Sequence, residues 1–216
     1  VLGGLLRPQR GTVALDGRRL RSLSRFQVAR TISLVPQDTH VGIHWTVGEF
    51  VAMGRFPHLG RFRPAADADR DAVSEAMQQT EIARLAGRAL PTLSAGERQR
   101  AFLARALATQ APIILLDEPT ANLDVQHALQ FFELLGRQTT AGRTCVMALH
   151  DLNAALRFAD QVAVMDAGRV VVQAPPAEAL DDERLQSVFA VQAHRHETPA
   201  GRPQLTCYLQ APDAQS

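Results

Sequence analysis

The chain has 216 residues and a mass of 23.5 kDa, with 46% apolar residues and 23 basic against 22 acidic side chains. That length suits one ordinary core with at most a subdomain, the net charge of +1 leaves no field that would recruit nucleic acid, and no apolar run is long enough to cross a bilayer. All the basic residues are arginine, so a site that requires lysine is excluded from these residues.

The opening "VLGGLLRPQR" lacks a basic stretch followed by a long hydrophobic run, so no signal peptide is expected. Residues 11–20, "GTVALDGRRL", alternate like a strand and turn at Asp16–Gly17, the pattern of a hairpin. "RTISLVPQD" at 30–38 is an apolar strand stopped by a proline. At 46–56, Val47, Phe50, Val51 and Met53 fall at helical spacing. Two more helical patterns are expected between 67 and 90. The first opens on three aspartates, where the helix dipole favours negative charge, and the second places Ile82, Leu85 and Ala89 on one face.

"LSAGERQRAFLARALATQ" at 93–110 reads as a long amphipathic helix. An apolar strand at 113–116, a helix over 125–138, a strand at 144–151 and a helix at 152–158 follow. Two strands joined at Asp166–Gly168 are then expected within 160–173. Strands alternating with helices predict an α/β fold with a mainly parallel sheet, and the helical block between about 42 and 108 predicts an inserted α-helical subdomain. The final "APDAQS" is read as disordered. Cys145 and Cys207 have no metal-ligand spacing and read as ordinary thiols.

Four places carry chemistry. The strand at 113–116 runs into adjacent carboxylates, Asp117 and Glu118, and then Pro119. This is ordinary turn chemistry, or else the strand-end carboxylates that hold a hard cation beside substrate phosphates. Ser94-Ala95-Gly96-Glu97 matches the Ser-x-x-Glu capping box, and a helix start of this kind is also an anion site, with Arg98 and Arg100 adding positive charge. Gln37 and His150 each end a strand, where a plain turn residue or structural histidine is the common reading. Asp124 reads as the N-cap of the helix at 125.

In order, Gln37 after a strand, a helical insert, "LSAGERQR", "ILLDEP", "ANLD" and "LHD" resemble the nucleotide-binding subunit of ATP-binding cassette (ABC) transporters. The likeness runs over nearly the whole chain. It implies a P-loop NTPase-like core, ATP and Mg2+ as cofactors, and a role for each residue. Gln37 matches the Q-loop glutamine, which touches magnesium and the attacking water. Leu93 to Glu97 match the signature loop, whose Ser94, Ala95, Gly96 and Glu97 press on the γ-phosphate held by the opposing subunit. Asp117 matches the aspartate that orients magnesium and Glu118 the general base for water. Asp124 matches the D-loop aspartate at the dimer interface, and His150 the switch histidine that contacts the γ-phosphate. Ala95 stands where the family usually has glycine.

The family's phosphate-binding loop, G-x-x-x-x-G-K-[ST], is not among these residues, and the start of the chain resembles the helix end that follows that loop. Three lost charge-assisted hydrogen bonds would remove about 5–9 kcal/mol of phosphate binding. These residues alone are expected to be inactive, and because the downstream chemistry is all present an N-terminally truncated ATPase is expected. The alternative is a degenerate subunit that hydrolyses nothing and gives its signature loop in trans to a complete partner. The expected organisation is a truncated N-terminal part of the ATPase core (1–41), a helical subdomain (42–108), the C-terminal part of the core (109–173) and a C-terminal extension (174–216).

"TVGEFVAMGRFPHLGRF" at 46–62, with its Gly-Arg-x-Pro-His element, and the tail at 188–205 resemble importers of ferric siderophores, haem and cobalamin. That implies an ATPase homodimer under two membrane permeases, at the cytoplasmic face of the bacterial inner membrane. A periplasmic or lipoprotein substrate-binding protein is an indirect partner, and nucleic acid is not one. The permease contact is expected at 47–58, at Arg55 or Phe56. His194, Arg195 and His196 read as solvated tail residues. A soluble ABC protein of DNA repair or translation would carry coiled-coil, zinc-binding or duplicated regions, and none is visible here.

Overall fold

A computed structural model describes residues 1–39, 42, 44–59 and 65–209. It divides into two compact units, Val1–Ala148 and Leu149–Ser216.

In the first unit, residues 1–13 form turns and bends, not the helix end expected from the opening residues. A short hairpin follows, β1 (Ala14–Leu15) and β2 (Arg18–Arg19), turned by Asp16 and Gly17, both at positive φ. Asp-Gly is the pair such a turn demands. Helix α1 (Arg25–Thr31) was not anticipated, although Ser24 and Gln27 form a reciprocal capping box at its start. Strands β3 (Ile32–Val35), β4 (Ile113–Asp117) and β5 (Thr144–Ala148) make a parallel sheet in the order β3-β4-β5, with Ile32 opposite Ile113 and Ile113 opposite Thr144.

Between β3 and β4 lie α2 (Val47–Ala52), α3 (Asp67–Gln79) and α4 (Ala95–Ala108). Phe50 of α2 and Phe102 of α4 pack with ring centroids 4.7 Å apart and planes tilted by 54°, and the Arg105 guanidinium covers both rings at 4.7 and 5.0 Å. The second helical pattern, expected before residue 90, is corrected. Residues 81–92 hold only two short 3-10 turns, Ala83–Leu85 and Leu90–Thr92. Glu81 sits at φ +62°, which breaks the helical path, and Pro91 stands in the second turn. Ile82, Leu85 and Leu90 are buried all the same. Helix α5 (Val125–Thr140) buries Phe131, Leu134 and Leu135.

The Gly-Arg-x-Pro-His element proves to be a clamp on the C-terminus of α4. Arg55 is 7% exposed, pairs with Asp69 of α3 at 2.9 Å, and donates to the Ala108 carbonyl (2.8 Å) and Gln110 Oε1 (2.9 Å). His58 Nε2 contacts the Thr109 carbonyl at 2.8 Å. Unsatisfied carbonyls at a helix end attract cations and donors. Gly54 must lack a side chain, because a Cβ there would lie 2.3 Å from the Arg105 carbonyl oxygen. Arg55 is therefore buried and does not offer the contact surface expected of it, whereas Phe56 is 60% exposed. Residues 60–62 of the importer-like stretch lie outside the described residues.

The second unit contains α6 (Leu152–Phe158), the antiparallel pair β6 (Val162–Asp166) and β7 (Arg169–Ala174), α7 (Pro176–Ala179), α8 (Asp182–Phe189), and a second pair, β8 (Gln192–Glu197) and β9 (Pro203–Tyr208). Leu156, Val164, Leu180, Leu185 and Leu205 form its core. Asn153 behaves like a backbone partner for β9, exchanging two hydrogen bonds with Leu205 at 2.7 and 3.0 Å. The "APDAQS" tail lies outside the described residues. No helix among the described residues is long and apolar enough to cross a membrane.

Candidate functional site

The carboxyl end of β4 carries the site, as ligand sites in parallel sheets generally do. Asp117 is the last residue of the strand and is exposed. Glu118 then takes φ +43°, a left-handed conformation that a glutamate seldom adopts. Its N–H still donates to the Ala148 carbonyl of β5 at 3.2 Å, and its own carbonyl accepts from Ala121 at 3.2 Å. The kink turns the chain away from the sheet while both acidic residues stay at its edge. Gln37, two residues beyond β3, donates from Nε2 to Glu118 Oε2 at 2.8 Å. The structure thus joins two predicted residues that are far apart in sequence.

A cavity of about 90 Å3 opens beside this pair, lined by Gln37 and Glu118 together with Ala95, Arg98 and Gln99 of α4 and Asn122. Of the predicted signature residues only Ala95 lines it; Ser94, Gly96 and Glu97 do not. Arg98 Nε and Gln99 Nε2, on the α4 side, are buried without a hydrogen-bond partner among the described residues.

Ser94 caps α4 as its sequence predicts. Its hydroxyl accepts from the Glu97 N–H at 3.2 Å, and the Glu97 carboxylate accepts from the Ser94 N–H at 3.0 Å. That backbone hydrogen bond, with help from Arg88, holds the Glu97 carboxyl below the usual carboxylate range. A depressed folded-state pKa contributes stability that is full above the unfolded value, about 4.3, and is lost as pH falls through the folded one. Chemical denaturation of the wild type and Glu97→Gln from about pH 6 to about pH 3 checks this; the stability gap between them is expected to close at the acid end. Further along α4, Arg100 donates to Glu81 (2.6 Å) and Gln130 (2.7 Å), which fixes the helix against α5.

Asp124 caps α5. Oδ1 accepts the His127 N–H at 2.9 Å, and Oδ2 lies 2.7 Å from His127 Nδ1. These bonds, the backbone one first, hold the Asp124 carboxyl low. The His127 ring also packs on Gly96, where an added Cβ would come within 2.9 Å of Cδ2. His127 was not singled out from the sequence; its signal was its place three residues after a capping aspartate.

His150 belongs to the second unit, exposed, one residue before Asp151, whose carboxylate caps α6 through Asn153 and Ala154. Both cysteines are free; Cys207 is exposed, and burial pushes the Cys145 thiol up to about 11.

The donor set is hard oxygen: two carboxylates and an amide. No group of three or more His, Cys, Asp or Glu is placed to hold a metal among the described residues. The carboxylates and the amide oxygen are the donors magnesium takes, one or two carboxylates with water and substrate phosphates completing its shell.

The ABC transporter family matches residues 1–121. The hemin import ATP-binding protein HmuV of Nocardia farcinica is 44% identical over 188 residues, 87% of this chain and 65% of that protein. The cobalamin import ATP-binding protein BtuD of Halobacterium salinarum is 41% identical over 87% of this chain and 47% of its own length. The ferric enterobactin transport ATP-binding protein FepC of Escherichia coli is 38% identical over 94% of this chain and 75% of its own length. The chain thus spans about half to two thirds of the first two relatives. Among solved structures, an ABC transporter in an inward-facing conformation superposes with a TM-score of 0.83 at 23% identity, over 97% of this chain and 79% of that one. The fold is that of the P-loop NTPase-like cassette with its helical insert.

Proposed function

The chain belongs to the ABC transporter family, and on that premise we propose that it is part of the ATP-hydrolysing subunit of an importer for an iron chelate, haem or cobalamin. The observation that carries the reading is the Gln37–Glu118 contact at the end of β4, beside the first turn of α4. The relatives named for haem, cobalamin and ferric enterobactin import support the cargo class.

In this reading Glu118 is the general base. Its carboxylate takes a proton from water as the water oxygen bonds the γ-phosphorus and the bridging oxygen leaves with ADP. Gln37 holds that carboxylate in place through its amide N–H and, with Asp117, would hold magnesium. Magnesium, when bound, neutralises phosphate charge. Ser94, Ala95, Gly96 and Glu97 meet the nucleotide of a second copy, Asp124 crosses to that copy, and His150 reaches the γ-phosphate. Two permeases dock on the helical segment, where exposed Phe56 replaces buried Arg55 as the candidate contact. The subunit then sits on the cytoplasmic face of the membrane, with a substrate-binding protein acting at the far side. The segment boundaries at 41, 108 and 173 belong to the same proposal.

The test is ATP hydrolysis by the whole polypeptide, as its cells make it, reconstituted with its permeases in liposomes. The expected result is magnesium-dependent turnover coupled to uptake of one of these cargoes. Hydrolysis without uptake of any of them would sink the cargo assignment, and no hydrolysis would sink the enzyme assignment.

A further inference from the structure

One side chain outside the assigned motifs touches two of them. His127 stands on the first turn of α5. Its Nδ1 lies 2.7 Å from Asp124 Oδ2, and its ring lies against Gly96 on the first turn of α4. A cap needs only the bond from the His127 N–H to Asp124 Oδ1, which is already present at 2.9 Å. The second bond, to the ring, adds nothing to the cap and instead fixes which way the Asp124 carboxylate faces.

The glycine points the same way. Gly96 is not among the residues at positive φ, so its backbone does not require glycine. Inside a helix, glycine costs roughly 0.5–1 kcal/mol relative to alanine. An alanine Cβ here would come within 2.9 Å of the imidazole, so the ring would have to give way. The chain gives up helix propensity at the start of α4 to seat a polar ring that also holds Asp124.

We infer that His127 is a positioning residue: it locks the Asp124 carboxylate and the Gly96 backbone into one fixed relation, so that both meet the partner copy's nucleotide as a single unit. This rests on the ATP-hydrolysing reading above. His127 touches no nucleotide itself. The ring packs on Gly96 and the Nδ1–H donates to Asp124, and the two contributions are separable by substitution.

The experiment is steady-state ATP hydrolysis by the assembled transporter. His127→Phe keeps a ring over Gly96 and removes the donor. His127→Asn keeps a donor near the Nδ1 position and removes the ring. The Phe variant is expected to lose about tenfold in kcat with KM within about twofold, and the Asn variant to recover most of that loss. Gly96→Ala is read by stability, because Gly96 itself meets nucleotide: it is expected to lower the Tm in the wild-type background and to cost little more beside His127→Ala, where the clash is gone. Unchanged kcat in His127→Phe, or a Gly96→Ala stability penalty equal in both backgrounds, overturns the proposal, as do His127 variants that lower only the Tm. If the wild type hydrolyses no ATP, the functional reading fails first and the positioning role falls with it, a result distinct from intact hydrolysis with uncoupled variants.

Discussion

Replacing Glu118 with glutamine is expected to lower the ATP hydrolysis rate by about 10²–10⁴-fold, the usual worth of a positioned general base, while ATP affinity stays within a few fold. Glutamine has nearly the same shape and can still accept the Gln37 amide hydrogen through its carbonyl oxygen. The 2.8 Å contact therefore survives, and what is lost is the capacity to take a proton. The measurement is kcat by phosphate release alongside nucleotide affinity by fluorescence titration. A parallel loss of affinity and rate would mean that Glu118 holds the ligand and does not move its proton. The left-handed backbone at Glu118 makes the control important. Wild type and Glu118→Gln carry the same backbone strain, so a difference between them reports chemistry and not folding.

Asp69→Ala carries the largest expected cost in stability, about 3–5 kcal/mol, because it strands the Arg55 guanidinium with side chains only 9% and 12% exposed at the pair. It also removes the acceptor that the Ala66 N–H uses at the start of α3. The double change Arg55→Met with Asp69→Leu is expected to cost less than Asp69→Ala alone, since no buried charge is left. It still leaves the Ala108 carbonyl without its donor, so some loss remains. Urea denaturation of the three proteins at one pH decides it. A single-variant loss below about 1 kcal/mol would show that Arg55 reaches water and that the clamp on α4 is weaker than its geometry implies.

Much of this was legible in the residues, and for physical reasons. Capping is local, so Ser94-x-x-Glu97 and Asp124 announced the starts of α4 and α5. The apolar run Ile113–Leu116 announced a strand of a parallel sheet, and Asp117–Glu118 announced where it ends. Resemblance alone put Gln37 and Glu118 at the same water, and their direct contact was not expected, because nothing in either residue's neighbourhood specifies the other. The role of Arg55 was misjudged for a related reason. An arginine in a short motif looks like a surface handle, and only the meeting of α3 with the end of α4 shows it buried. Residues 81–92 had helical spacing without a helix, since a left-handed Glu81 and two short turns bury the same apolar side chains by another path. His127 escaped notice because its meaning lies in Gly96, on a different helix.

The placement of α2, α3 and α4 between two neighbouring strands also dictates an order of events. Pairing Ile32 with Ile113 closes a loop of about 80 residues, an entropic cost of about 4 kcal/mol if the intervening chain is still random. The Phe50–Phe102–Arg105 cluster and the Arg55 clamp draw that segment into a compact body whose two ends lie near each other. Once it has condensed, β3 and β4 are held together by a folded spacer, and the cost of their meeting largely disappears. The expected sign in refolding kinetics is φ-values near the upper range at Phe50 and Phe102 and low ones at Val35 and Leu116. The reverse pattern would show that the sheet forms first and waits for its insert.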